Sequence, residues 1–338
     1  MSRTIKERLR SVASRVVVGT GMSALGRRVG RRDGAFILYG HRVSDDDEGY
    51  MQGLKPEWLD QQLAYLTRHY EIIPLNTLVE CLETGRPVPE RSAVLTFDDG
   101  FRDNLTNAFP ILQKHHAPAT IFVVTGSLTH GDLPWSQRLG YLFQHTSERV
   151  LNHPLAGAEG LELSTEADRR AAYQAVKSPI SRMGRELRDA AIAEIANLLR
   201  VEPPRDRMLS WDDARDLLAA GIEIGAHTYS HPLLAQMEPE EARWELRKSC
   251  EDLKATLGVE HPSFCFPGGS RSPGLFDEVR NAGYRSVFDS RRRVRVNRVG
   301  TVTQYSLSRV GLPNAKAVQL EAEIDGPFHS FRNLFHKD

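Results

Sequence analysis

Val94-Leu95-Thr96-Phe97-Asp98-Asp99-Gly100 is the stretch on which the fold turns. It reads as a buried strand that stops abruptly at two adjacent carboxylates and a glycine. Like charges at a strand end repel, and burying them is costly, so folding alone gives no reason for the pair. A metal ion or a shared proton would change that balance. Further along, Gly225-Ala226-His227-Thr228-Tyr229-Ser230-His231-Pro232 is a second apolar segment, ending in two histidines four residues apart. One acid and two histidines form a facial ligand set for a divalent metal. The remaining acid is then free to act as a base.

The segments around these two have a regular rhythm. Residues 35–39 read as a strand running into Gly40-His41-Arg42-Val43, and 56–70 as an amphipathic helix with Leu59, Leu63 and Leu66 on one face. A short strand at 71–74, a helix at 76–83 closing at Gly85, the strand 93–97, a helix at 104–116 kinked at Pro110 and a strand at 119–124 follow. This alternation signals parallel α/β architecture. Residues 127–209 break it. They are polar, carry a charged helical segment at 165–200 and end near Pro203-Pro204, which reads as an insertion without a core of its own. The rhythm resumes with Ser210 as N-cap of a helix at 211–220. Next come a strand at 222–226 that delivers the histidines, a helix at 238–257 closed by Gly258, and a strand at 263–266 ending in Pro267-Gly268-Gly269. A helix at 273–282, a strand at 286–288 ending in Asp289, and a strand at 305–310 near Arg309 complete the series. Acids, histidines and the proline turn all sit where strands stop, the end of a parallel barrel where active sites form.

Composition excludes several classes. The 338 residues are 40% hydrophobic, an ordinary globular balance, and 44 basic residues match 44 acidic ones. The balance gives no reason to expect a nucleic-acid partner. Three cysteines (Cys81, Cys250, Cys265) form no CxxC pair and suit a reducing compartment. No apolar run approaches the ~20 residues needed to span a bilayer, and Val16-Val17-Val18 is too short for a signal-peptide core. Residues 1–32 carry nine basic side chains against Glu7 alone. This basic amphipathic arm reads as a solvated surface helix, with contact to an anionic membrane face as the alternative.

Thr96-Phe97-Asp98-Asp99-Gly100 together with His227-Thr228-Tyr229-Ser230-His231 resembles the polysaccharide deacetylase family, also known as the NodB-homology or carbohydrate esterase family 4 fold. The resemblance covers about 35–125 and 210–312. It implies an α/β fold, a deformed (β/α) barrel of the NodB-homology type, here with a helical insertion. The expected division is a basic arm at 1–32, the deacetylase domain at 33–315 with an insertion at about 127–209, and a tail at 316–338. Carried over by motif, Asp98 is the base, and Asp99, His227 and His231 hold a divalent metal, zinc before others. The family's Arg-x-Pro motif reads Cys265-Phe266-Pro267-Gly268-Gly269 here, so the turn is kept and the Gly268 N–H can bind an oxyanion, but the arginine is missing. Arg309 is the candidate substitute. The family's late Leu-x-x-His acid is also absent, since His329 and His336 lack that context. Tyr39-Gly40-His41-Arg42-Val43 resembles the Tyr-His-x-Val segment of the exopolysaccharide-deacetylase branch, which makes His41 the expected acid.

The implied activity is metal-assisted hydrolysis of a linear amide, a carbon–nitrogen bond other than a peptide bond, freeing acetate and an amino sugar. The expected substrate is an N-acetylhexosamine in a polysaccharide or lipid-linked glycan, with Pro267 and Tyr229 among the residues touching it. Trp135, Trp211 and Phe266 are further stacking candidates. A cytoplasmic location, peripheral to the inner membrane through the basic arm, would suit a lipid-linked substrate. Two alternatives stand: another amide or O-acetyl ester hydrolase on the same barrel, or a non-catalytic glycan-binding homologue.

Overall fold

The computed structural model describes residues 3–29, 33–157, 160–288 and 296–326, with side chains in the first helix from Leu9 onward. Eight parallel strands form its main sheet: β1 (Ala35–Gly40), β2 (Glu71–Ile72), β3 (Ser92–Phe97), β4 (Thr120–Val123), β5 (Glu223–Ala226), β6 (Ser263–Cys265), β7 (Ser286–Phe288) and β8 (Val310–Gly311). Their spatial order is β7-β6-β5-β4-β3-β1-β8, with β2 beside β3. A single parallel bridge between Phe288 and Leu307 ties β7 to the segment leading into β8. The sheet therefore curls into the deformed (β/α) barrel expected from the sequence.

Buried parallel strands read as continuous apolar runs because both faces are covered. All six residues of β3 are buried, and each large apolar side chain so placed contributes about 1.5–3 kcal/mol relative to exposure. The register levels the strand ends. Gly40 pairs with Phe97, Val123 with Ala226, and Cys265 with Phe288. Everything directly after these residues emerges on one rim.

Three local readings need correction. The expected helix at 104–116 starts as a wide π-helical turn, Asn104–Ala108, before the α-helix Phe109–Lys114. Pro110 lies in the first turn of that α-helix, where its missing N–H costs nothing. The last strand is only Val310–Gly311, and Arg309 directly precedes it. Asp289, expected to end β7, lies outside the described residues, as do His329 and His336. The insertion does have a core: Leu139, Leu142, Phe143, Tyr173, Val176, Ile180, Ile192 and Ile195 bury one another. Its helices Trp135–His145, Glu166–Ile180 and Arg185–Leu199 hide their apolar faces on each other, so polar composition was a poor guide to their packing.

The basic arm forms two helices, Arg3–Gly19 and Met22–Val29, and the beginning of the expected tail forms a helix, Ala317–Ile324, against which the first packs. Arg27 bonds Glu321 and the Tyr65 hydroxyl, while the buried Asp325 carboxylate accepts from Tyr65 and, at 2.6 Å, from Tyr70. Gly26 permits the contact, because a Cβ there would overlap the Asp325 carbonyl.

Candidate active site

Asp98 and Asp99 follow β3 directly, yet they face different partners. Asp99 adopts φ 76° and Gly100 φ 78°, two successive left-handed residues that turn the chain sharply. The histidine loop uses the same device, with Thr228 at φ 66° and His231 at φ 58°. Such conformations in non-glycine residues cost on the order of 1–3 kcal/mol each and persist only where the surroundings impose them.

Asp98 is clamped. Arg309 Nη1 and Nη2 donate to its two oxygens at 2.7 Å each, a bidentate pair in which both side chains are almost fully buried. The guanidinium lies 4.5 Å from the centre of the Tyr39 ring and 5.0 Å from that of Phe288. Its Nη2 is 2.8 Å from Cys265 Sγ. Cys265 stands where the family motif has its arginine, and the small thiol leaves room for Arg309 to arrive from the β8 side. Burial alone would raise the Asp98 carboxyl, but the Arg309 charge outweighs it and holds the group below its ordinary value.

Asp99 is arranged differently. Its Oδ1 is buried with no hydrogen-bond partner among the described residues and lies 3.1 Å from His231 Nε2 and 3.4 Å from His227 Nε2. The His227 Nδ1 is 2.7 Å from the Cys265 carbonyl, which fixes the ring and turns Nε2 toward Asp99. Burial pushes the His227 imidazole down to about 4, so it stays in the neutral, metal-binding form. Burial works against the Asp99 carboxylate, but His231 prevails and keeps it ionised. Ligands at about 2.1 Å from one ion stand roughly 3.0–3.4 Å apart in octahedral or tetrahedral geometry. The observed spacings and the unpartnered oxygen therefore fit a divalent metal. Asp98, His227 and Cys265 also converge, but Asp98 is taken by Arg309 and burial raises the Cys265 thiol well above its usual range, away from the thiolate that binds metal. Asp99, His227 and His231 are the better donor set.

Four further residues support the site; the sequence-based expectations include Trp135 alone among them, and as a stacking surface. Gln137, in the insertion, donates to Asp99 Oδ2 at 3.5 Å, leaving Oδ1 for the ion. The Trp135 indole N–H donates to the His231 carbonyl at 2.8 Å, and Arg188, almost fully buried, donates to Ser230 Oγ at 2.7 Å. Glu245 accepts the Tyr229 and Ser230 N–H groups at 2.9 and 2.8 Å and the Ser230 hydroxyl, holding the loop in its left-handed course. Glu245 had a signal in the sequence, an acid on the mostly apolar buried face of the helix Pro239–Leu257. Gln137 and Arg188 had none, since their roles depend on how the insertion folds back.

The other expected residues are placed as follows. His41 follows β1, with Nε2 4.0 Å from Asp98 Oδ2 and a partly exposed side chain. Asn104, in the π-helical turn, donates to its carbonyl at 2.8 Å. Pro267 is buried, and Gly268 is exposed at φ 57° with no hydrogen bond from its N–H among the described residues. The Tyr229 ring meets Trp244 edge-on and lies under Lys248 and Arg185. Trp135 and Phe266 are buried, and the Trp211 indole bonds Thr129.

Comparison with known proteins agrees with this geometry. A family model described as polysaccharide deacetylase matches residues 85–287. The poly-beta-1,6-N-acetyl-D-glucosamine N-deacetylase of Escherichia coli (strain K12) is 34% identical over 90 residues, 26% of this chain and 13% of that protein. The enzyme of the same name from Staphylococcus epidermidis is 35% identical over 68 residues, 20% of this chain and 23% of that one. The matches thus span less than a quarter of either relative. Among solved structures, the Streptococcus pyogenes deacetylase PplD in complex with acetate aligns with TM-score 0.57 and 17% identity over 86% of this chain and 97% of that one. IcaB from Ammonifex degensii aligns with TM-score 0.56 and 20% identity over the same shares. At these identities the two structures support the fold.

Proposed function

The chain belongs to the polysaccharide deacetylase family, and on that footing we propose that it removes N-acetyl groups from an N-acetylhexosamine in a polysaccharide or lipid-linked glycan, with zinc as the expected ion. One observation carries the reading: neighbouring carboxylates are divided between two tasks. Asp98 is held by Arg309, and Asp99 turns an oxygen without a hydrogen-bond partner among the described residues toward the Nε2 atoms of His227 and His231.

Asp99, His227 and His231 would hold the ion, which when bound polarises the acetyl carbonyl and makes water more acidic. Asp98 sits beside that set and, kept ionised by Arg309, takes the proton of the attacking water. Gly268, whose N–H makes no hydrogen bond among the described residues, would donate to the developing oxyanion, a contact that matters most in the transition state. As the C–N bond breaks, a protonated His41 gives its proton to the leaving nitrogen. Acetate and a free amino sugar result.

The test is release of acetate and of free amine from a glycan panel by the zinc-loaded protein. Poly-beta-1,6-N-acetyl-D-glucosamine, named for the two curated relatives, comes first, with an O-acetylated polysaccharide for contrast. Acetate with matching amine is expected, and Asp98→Asn should lower kcat by the ~10²–10⁴ typical of lost general-base catalysis. Acetate from O-acetyl substrates alone would make the chain an ester hydrolase. Glycan binding with no acetate would make it a binding protein.

A further inference from the structure

Nine large hydrophobic side chains stand exposed among the described residues, and six of them lie in the first 29: Leu9, Val12, Val16, Met22, Leu25 and Val29. Their exposure runs from 40% to 73%, and they follow a rule. Each N-terminal helix has apolar residues at the first, fourth and eighth positions of a stripe and an arginine at the seventh. Leu9, Val12 and Val16 go with Arg15, and Met22, Leu25 and Val29 go with Arg28. At about 100° per residue the three apolar side chains share a narrow face, and the arginine lies roughly 60° to one side. Both arginines are exposed and make no ion pair among the described residues.

The stripes cannot turn inward, because the opposite faces are occupied. Ser14, Val17 and Ser23 are buried. Arg10 pairs with Glu323 at 2.7 Å, Ser23 bonds Glu321, and Gly26 lies against the Asp325 backbone. The helices are therefore fixed on the barrel with apolar rows facing water. Contiguous exposed apolar surface of this kind marks an interaction site.

The charge identifies the occupant. Arg10 and Arg27 are neutralised by Glu323 and Glu321, but Arg15 and Arg28 stand exposed beside the two apolar stripes, so the partner must be apolar and anionic at once. No described helix is long and apolar enough to cross a membrane, which leaves a helix that lies on the surface. We propose that Arg3–Gly19 and Met22–Val29 form a docking face for an anionic phospholipid bilayer. The two stripes enter the boundary between headgroups and acyl chains, and Arg15 and Arg28 lie along the phosphates with their stems on the apolar edge. The proposal does not depend on the reaction the barrel catalyses.

Vesicle sedimentation of the full chain tests it. Binding is expected to equimolar phosphatidylcholine and phosphatidylglycerol vesicles, with little to pure phosphatidylcholine and a strong decline in about 0.5 M salt, where charges are screened beyond a few ångströms. Each arginine near such a surface contributes about fivefold, so Arg15→Gln with Arg28→Gln should lower partitioning by roughly 25-fold. Leu9→Ser, Val12→Ser, Leu25→Ser and Val29→Ser together should abolish binding, a loss above about a hundredfold. All four are exposed, so thermal unfolding should shift little. Failure of the natural chain to bind anionic vesicles would overturn the proposal, as would undiminished binding by the serine variant with its thermal transition intact. A concentration-dependent dimer that the serine variant loses, without vesicle binding, would assign the stripes to a second copy instead.

Discussion

Arg309→Met removes one partner of the Asp98 pair and keeps much of the apolar stem that packs on Tyr39 and Phe288. Both side chains are 4% exposed or less. Water cannot replace the two lost hydrogen bonds, and the carboxylate stays behind in a buried site. Removing one member of such a pair costs about 3–5 kcal/mol, mostly because the other charge is left uncompensated. With an unfolding entropy of about 2.1 cal/mol/K per residue over 338 residues, that loss lowers Tm by about 4–7 °C. The assay is thermal unfolding in chelator, so that bound metal does not mask the difference. Adding Asp98→Asn should restore most of the loss, since no buried charge remains, giving a coupling energy well above that of independent sites. The pH dependence has a definite sign. Arg309 holds the Asp98 carboxyl below its ordinary value, so the pair's contribution is present above that ordinary value and is lost as pH falls through the lowered one. In Arg309→Met the main opposition to burial is gone and the carboxyl rises, so the variant's deficit should narrow in acid as Asp98 takes up a proton. A Tm loss below about 2 °C, or additive effects in the double variant, would refute the argument that this pair is what holds Asp98.

His227→Ala or His231→Ala should strongly reduce zinc retained after dialysis, measured by elemental analysis, with the thermal transition still cooperative; full stoichiometry would remove these residues from the ligand set. Gln137→Leu should weaken zinc about 10- to 100-fold in a competitive chelator titration, the usual cost of losing a group that orients a ligand, and an unchanged dissociation constant would show that Asp99 needs no such support. His41→Ala should lower kcat with zinc content preserved, whereas His329→Ala and His336→Ala should change little; the reverse pattern would move the acid to the end of the chain. Cys265→Arg in an Arg309→Ala background places the guanidinium where the family motif has it, and should recover part of the kcat lost in Arg309→Ala alone.

Much of this protein was legible in the chain because its information is local. A buried parallel strand must be apolar on both faces, so Val94–Phe97 and Ile222–Ala226 were readable from composition, and polar residues right after them had to emerge together once the strands were level. Asp98 and Asp99 directly follow one such strand and His227 the other, with His231 four residues on. The capping box of Ser210 with Asp213 and the left-handed Gly258 are equally local. What only the tertiary structure decided depends on which empty space a distant side chain fills. Arg309 reaches Asp98 across 211 residues of sequence because Cys265 is small and the barrel curls the β8 approach toward β3. The insertion's polar composition concealed a core, because its helices bury narrow apolar faces against each other, and that folding carries Gln137 to Asp99 and Trp135 to the His231 carbonyl. The N-terminal arm looked like a basic amphipathic segment. Only its packing against the helix Ala317–Ile324 shows which apolar residues are covered and which six are left facing out, since periodicity defines a helix's faces and the tertiary contacts choose which face is buried.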